Sequence, residues 1–351
     1  MKYHLALGRK IDLDGIDRDA QQGKCPRHVL RALRDRLNAT VHAPDGEAIS
    51  LSDKLRSKIS SKPEHWAAAR KLSEQVSSDD VIFCTGEDIG IPVAAVCGEL
   101  SDRPKVVVYF HNVDRLRGRV ALKLFGLANK IDVFMACASP QTNFLRSYLA
   151  IPESRILLLL EQTDTQFFTP GPVSSEKKRQ TVVSVGLEKR DYRLLAAATA
   201  DLDVDVKISG FSKDAKALSQ AFPDTMPENM SRKFYEWPDL VQLYRDADVV
   251  AVCLTDNKYA AGVQGLVEAM ACKRPVAITR TQGMVDYLAT DIAKVVDVGD
   301  AAGLREAIVH LLKNPQEAES QAQRGYEMVM NQHNSEGYVD VLVEKLRSLS
   351  L

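Results

Sequence analysis

Gly262, Gly265 and Glu268 recur at every third position in Ala260-Ala-Gly-Val-Gln-Gly-Leu-Val-Glu268, directly after the apolar run Val249–Leu254. This order predicts a strand, a glycine-bearing loop and a helix beginning near Val263. Glycine lets a ligand approach the backbone closely, and the unpaired N–H groups of a helix start, at the positive end of its dipole, favour a phosphate. Val263, Gln264 and Leu266 fall in that first turn. Glu268 lies just over one turn further on, where a carboxylate can accept from two ribose hydroxyls beside a diphosphate. The plainer alternative is a strand–helix crossover with an exposed Glu, since such loops are common. A second candidate group is Thr85-Gly-Glu87-Asp88, after the run Val81–Cys84. Glu87 or Asp88 can bind the hydroxyls of an acceptor there, or cap a helix.

The elements that would position these groups are legible as short apolar runs. They are Tyr3–Leu7, Val81–Cys84, Val106–Phe110, Val133–Ala138 and Ile156–Leu160 in the first half. In the second half they are Thr181–Val185, Val204–Ile208, Val249–Leu254, Pro275–Thr279 and Val295–Val298. Continuous rather than alternating Val, Ile and Leu suit strands buried on both faces of a parallel sheet. Helical patterns such as His28–Leu37, Leu240–Asp246 and Leu304–Leu312 fill the gaps, so the class is α/β. With 351 residues, two domains are expected. Thr169–Arg179 concentrates Pro, Gly, Ser and charge and reads as the linker. The expected division is a Rossmann-like domain over 1–170, a second Rossmann-like domain over 171–315, and helices over 316–351 packing back onto the first domain.

Composition narrows the function further. A formal charge of −1 provides no field for nucleic acid, and 45% hydrophobic with 26% charged residues is ordinary globular usage. The six cysteines show no metal-ligand spacing and read as reduced core residues. The N-terminal apolar stretch is too short for a signal peptide, and no run approaches a membrane span, so a cytoplasmic protein is expected.

The segment Glu268-Ala-Met-Ala-Cys-x-x-Pro275-Val, followed by Thr281-x-Gly283-x-x-Asp286, resembles the donor-site signature of glycosyltransferase family 4, the retaining enzymes of GT-B architecture. Ser184-Val-Gly-Leu-Glu-Lys189-Arg, Leu240-Val-Gln-Leu-Tyr-Arg-Asp-Ala-Asp248 and Asp164-Thr-Gln-Phe-Phe-Thr-Pro170 are similar to further segments of that family, in the same order. The resemblance implies transfer of a hexose from a nucleotide-diphosphate sugar to a hydroxyl acceptor (a glycan, a small molecule or a lipid) with retention.

It also implies roles for individual residues. Lys189 corresponds to the family's diphosphate-binding lysine, and Gly186 to the glycine after its strand. The family's usual Arg is Leu187 here, and Arg190 is adjacent and can supply the second cation. The plainer reading of Lys189-Arg190 is a solvated turn. Glu268 corresponds to the ribose-binding Glu. Glu236 and Trp237 lie where the family reads the nucleobase, although Trp237 can equally be a packing residue. His111, after the run Val106–Phe110, falls where the family places a histidine against the donor sugar; the plainer reading is a strand-end cap. The family's second carboxylate is replaced by Ala260, so Asp256 or Asn257 must reach the sugar, or the sugar differs, or activity is lost. No metal is expected, because cations and a helix dipole already meet the diphosphate charge. A sugar-nucleotide 2-epimerase and a non-catalytic nucleotide-sugar-binding protein remain alternatives. The basic, apolar stretch 115–130 suits either peripheral contact with an anionic membrane or an ordinary surface helix.

Overall fold

Val81–Cys84 and Val249–Val252 are buried at every position, as the continuous apolar runs require of strands covered on both faces. The computed structural model describes residues 1–211, 219–289 and 291–350. The first half orders as β1 Tyr3–Ala6, α1 Leu13–Gln21, α2 Val29–Leu37, β2 Thr40–His42, α3 Leu51–Ser57, α4 Pro63–Ser73, β3 Val81–Cys84, α5 Glu87–Cys97, β4 Lys105–Phe110, α6 Leu116–Leu124, β5 Val133–Ala136, α7 Ser139–Leu149 and β6 Ile156–Leu158. The second half continues with β7 Thr181–Val185, α8 Tyr192–Thr199, β8 Asp205–Ser209, β9 Met230–Arg232, α9 Trp237–Asp246, β10 Val249–Val252, α10 Val263–Ala271, β11 Val276–Thr279, β12 Lys294–Val296, α11 Ala301–Lys313, α12 Pro315–Gln332 and α13 Ser335–Arg347.

Two six-stranded, wholly parallel sheets result, ordered β2-β1-β3-β4-β5-β6 and β12-β11-β10-β7-β8-β9. Each of the ten apolar runs overlaps a strand. The two strands without such a run, β2 and β9, lie at sheet edges and are mostly exposed or half-buried, so no apolar signal marks them. All six cysteines are free, and five are buried. No helix among the described residues is long and apolar enough to cross a membrane.

The chain forms two units: residues 1–15, 28–160 and 338–351, and residues 16–27 with 161–337. The change therefore falls at 160/161 rather than at the expected 170/171. The final residues, from Tyr338, return to the first unit, whereas α12 stays in the second. The Pro- and Gly-rich stretch read as the linker lies wholly within the second unit, held along α9. Arg245 donates to the Thr169 carbonyl and hydroxyl at 3.0 and 2.7 Å, Gln242 donates to the Pro172 carbonyl, and Asp246 accepts from the Ser174 N–H at 2.7 Å.

The segment 16–27 is held in the second unit by Arg27. Its backbone N–H and guanidinium both donate to Asp164, whose side chain is 3% exposed, and Gln166 N–H donates to the same carboxylate. Removing the buried acceptor leaves the Arg27 and Gln166 backbone N–H groups unpaired, although the half-exposed guanidinium keeps Glu336 at 2.8 Å and regains water. Asp164→Ala is therefore expected to cost about 2–3 kcal/mol. The check is the urea midpoint followed by tryptophan fluorescence, with the exposed Asp203→Ala as a control that leaves it unmoved.

Candidate functional site

The second unit's site begins at the carboxyl ends of β7 and β10, neighbouring parallel strands. Chain order reverses there: β8 and β9 extend on one side of β7, and β10, β11 and β12 on the other. Such a reversal leaves a crevice outside the strand ends. β7 runs into Gly186, with φ 101°, and a turn in which Lys189 adopts φ 55°. Asp191 then caps α8 by accepting from Leu194 N–H at 3.0 Å. The turn is tied to the β10 loop, because Asp191 N–H donates to Cys253 O and Thr255 N–H to Lys189 O, each at 2.9 Å.

Arg190 lies beneath this turn, 4% exposed. Its Nε donates to Val185 O at 2.8 Å and its guanidinium to Glu188 O at 3.2 Å. A Cβ on Gly186 would stand 2.4 Å from this guanidinium, one on Gly262 3.2 Å, and one on Gly265 3.3 Å. These glycines thus make room for a buried cation against the first turn of α10, and Gly262 starts that helix at φ 95°. Among the described residues, half-buried Lys189 has no carboxylate partner, whereas exposed Glu188 accepts from the Tyr259 hydroxyl at 2.8 Å. The solvated-turn reading therefore fails for Arg190, whose charge is internal.

Glu268 is 7% exposed and accepts from the buried Tyr244 hydroxyl at 2.8 Å. Burial pushes its carboxyl up to about 7, against the opposing pull of Tyr244 and Arg190. The exposed-Glu alternative is thereby corrected: Glu268 faces inward from α10, because the helix is buried on nearly every side. The same burial and the nearby carboxylate drive the Tyr244 phenol well above its ordinary value. Tyr244 stands in the Leu-x-x-Leu-Tyr segment quoted above, yet nothing in the spacing paired it with Glu268.

Val263 and Leu266 are buried in the helix packing, while Gln264 is exposed and donates to Gln162 O at 3.3 Å. Asp256 is exposed; Asn257 is 7% exposed, and its Oδ1 has no partner. Thr281 opens the Thr-x-Gly-x-x-Asp segment quoted above without a role of its own, and its Oγ1 is likewise buried and unpartnered. Both residues belong to one pair of packed loops, since Gly283 N–H donates to Asn257 O. Trp237 opens α9, 40% exposed, with Phe167 and Phe168 edge-on at 6.5 and 6.3 Å, so it packs and also presents a face. Glu236 is exposed at the helix start and caps nothing.

In the first unit His111 is exposed at the end of β4, with Nε2 3.2 Å from Thr85 O and its ring edge-on to Tyr109. Glu87 does not cap its own helix. Its two carboxylate oxygens accept from the backbone N–H groups of His111 and Asn112, at 2.9 and 3.1 Å, and so fix the loop that carries the histidine. Asp88 is exposed, and its carbonyl lies 3.0 Å from His65 Nδ1. On α6, Leu116, Val120 and Leu124 are exposed while Ala121 and Leu122 are buried.

Residues 189–344 match the family described as "Glycosyl transferase-like". No curated protein sequence matches the chain. Among solved structures, sucrose-phosphate synthase from Thermosynechococcus elongatus is similar at 14% identity and TM-score 0.74, covering 99% of both chains. HepE from Anabaena in complex with UDP is similar at 15% identity and TM-score 0.71, over 99% of this chain and 100% of that one. A UDP-forming α,α-trehalose-phosphate synthase from Burkholderia vietnamiensis follows at 12% identity and TM-score 0.70, over 99% and 98%. The fold is accordingly GT-B-like, and residues 189–344 are similar to the glycosyl transferase-like family.

The elevated Glu268 carboxyl makes stability depend on pH. A carboxyl raised in the folded state binds more protons there than when unfolded, so its stabilising contribution is complete below about pH 4.5 and is lost as pH rises through about 7. At pH 8 the buried charge then costs roughly 3 kcal/mol. Glu268→Gln should therefore raise the melting temperature at pH 8 and leave it nearly unchanged at pH 5. Thermal melts at the two pH values measure this.

Proposed function

We propose that the chain transfers a hexose from a nucleotide-diphosphate sugar to a hydroxyl acceptor with retention at the anomeric carbon, as a family 4 enzyme does. The observation that carries this reading is the internal Arg190 guanidinium set by three glycines against the start of α10, with Glu268 just over one turn on. A buried cation and a helix start together suit a diphosphate. The match of residues 189–344 to the glycosyltransferase-like family supports the same reading.

In this reading Lys189 meets the diphosphate directly, and Arg190 adds its charge from beneath the turn. Gly186, Gly262 and Gly265 admit the diphosphate to the backbone, and Glu268 holds the ribose. Glu236 and Trp237 border the base; Asp256 and Asn257 meet the sugar in place of a carboxylate at Ala260. His111 meets the sugar from its braced loop, with Glu87 and Asp88 on the acceptor side. The bond between the anomeric carbon and the diphosphate oxygen breaks, and its electron pair leaves with the diphosphate. The acceptor oxygen bonds the same face of the carbon, and its proton passes to the departing diphosphate oxygen. Cations and the helix dipole carry the leaving charge, so the scheme calls for no metal. The exposed Leu116, Val120 and Leu124, interleaved with Arg117, Arg119 and Lys123, suit peripheral contact with an anionic membrane.

HepE and the trehalose-phosphate synthase are described with UDP, so uridine is the first base to test. Thermal shifts with UDP, GDP, ADP and their sugar conjugates should single out one nucleotide. At ~100 times Kd it adds about 2.7 kcal/mol, and Glu268→Ala abolishes the gain. Proton NMR of the product should show the donor's anomeric configuration. No shift with any nucleotide would overturn the reading. Conversion of donor without acceptor would favour the epimerase, and binding without turnover the non-catalytic protein.

A further inference from the structure

The first unit holds a cavity of about 580 Å³ that the proposed transfer does not use. It lies beyond β1 and β2, where Leu7 N–H donates to His42 O. Leu7, Ile11 and Val41 are among its apolar lining residues. His42 enters from the end of the edge strand, and its Nε2 is 2.9 Å from Nδ1 of His4, a residue only 3% exposed. On the far side of His4, Nε2 faces Asp80 Oδ2 at 3.5 Å, in a carboxylate that is itself 3% exposed. Asp80 is fixed by the backbone N–H groups of Lys2 and Ser77 at 2.6 and 2.9 Å.

This chain of groups sets the tautomers. The carboxylate favours the proton on His4 Nε2, which leaves His4 Nδ1 to accept from His42 Nε2–H. His42 Nδ1 is then a lone pair with no partner among the described residues. Burial, with His4 and Lys71 nearby, lowers His42 to about 4, so the ring is neutral at physiological pH.

The charges around the cavity select against anions. Lys10 pairs with Asp45, and Lys71 with Glu47 at 3.3 Å, whose other oxygen accepts from Asp45 N–H. Asp12 adds a third carboxylate. A phosphate or carboxylate ligand would meet three acids and two cations already engaged. A ligand with hydroxyl donors on one edge and C–H groups on the other face matches the acceptors and the apolar lining together.

We propose that this cavity binds an uncharged saccharide, with His42 Nδ1 accepting a hydrogen bond from one hydroxyl and Leu7, Ile11 and Val41 covering the ring's C–H face. His4 and Asp80 are positioning residues that hold the His42 tautomer. The site stands apart from the donor-site reading and is tested independently of it.

The experiment titrates the protein with methyl glucoside, mannoside, galactoside and N-acetylglucosaminide while following ¹⁵N shifts of the histidine rings. Concentrations run to about 50 mM, since a small sugar on few hydrogen bonds binds in the millimolar range. At least one glycoside should move His42 Nδ1 saturably, and His42→Ala should weaken that glycoside tenfold or more. UDP, bound or not, should leave His42 unmoved, which separates this test from that of the nucleotide site. In the unmodified protein, nuclear Overhauser contacts should join the sugar C–H groups to Leu7, Ile11 and Val41 methyls, so the test survives a variant that fails to fold. No shift with any glycoside, equal binding by a folded His42→Ala, tighter binding of glucose 6-phosphate, or contacts to other methyls would each overturn the proposal.

Discussion

A guanidinium held at 4% exposure is the constraint on which the second unit's site depends. Burying a charge costs several kcal/mol unless its donors find acceptors. Arg190 meets that cost with the carbonyls of Val185 and Glu188. It also needs space, and side chains at 186, 262 or 265 would take it. Gly186 and Gly262 in the two loops, with Gly265 in the first turn of α10, therefore let β7, the turn after it and the helix start close around a single cation. Glu268 and Tyr244 follow from the same closure. The carboxylate that α10 carries inward is near enough to Arg190 to be favoured by it, and Tyr244 supplies the hydrogen bond that burial demands.

The sheets make this closure available. β7 and β10 are neighbours although β8 and β9 separate them in sequence, so the loops that follow them meet at one edge. The first unit repeats the device with β1 between β2 and β3. There the loop after β4 is not left to itself. Glu87, from the start of α5, binds two of its backbone N–H groups and so fixes the exposed His111. Glu87 is thus a brace for that loop as well as a candidate on the acceptor side.

The strands were legible because their surroundings are uniform. Ten continuous apolar runs mark strands covered on both faces, and α10 begins at Val263 as the glycines indicated. β2 and β9 were not legible, because an edge strand of three partly exposed residues leaves no periodicity to read. The extended segment 169–179 looked like a linker because Pro and Gly lack side-chain pattern; its backbone instead supplies carbonyls to Arg245 and Gln242. At the site, residue types and order were legible but not depth. Arg190 and Glu268 differ in no sequence feature from exposed neighbours such as Glu188, and only long-range packing decides which of them is internal. The His4–His42 contact, joining residues 38 apart, belongs to the same class of fact.

The most direct measurement is calorimetric titration of the nucleoside diphosphate that stabilises the protein, compared with its parent nucleoside, in the unmodified protein and in Arg190→Met. Methionine keeps much of the buried volume and removes the charge. If Arg190 supplies the field that holds the diphosphate, the variant loses diphosphate affinity by at least about thirtyfold, roughly 2 kcal/mol, while nucleoside affinity stays within about twofold. Unchanged diphosphate affinity in a folded Arg190→Met protein would contradict the account.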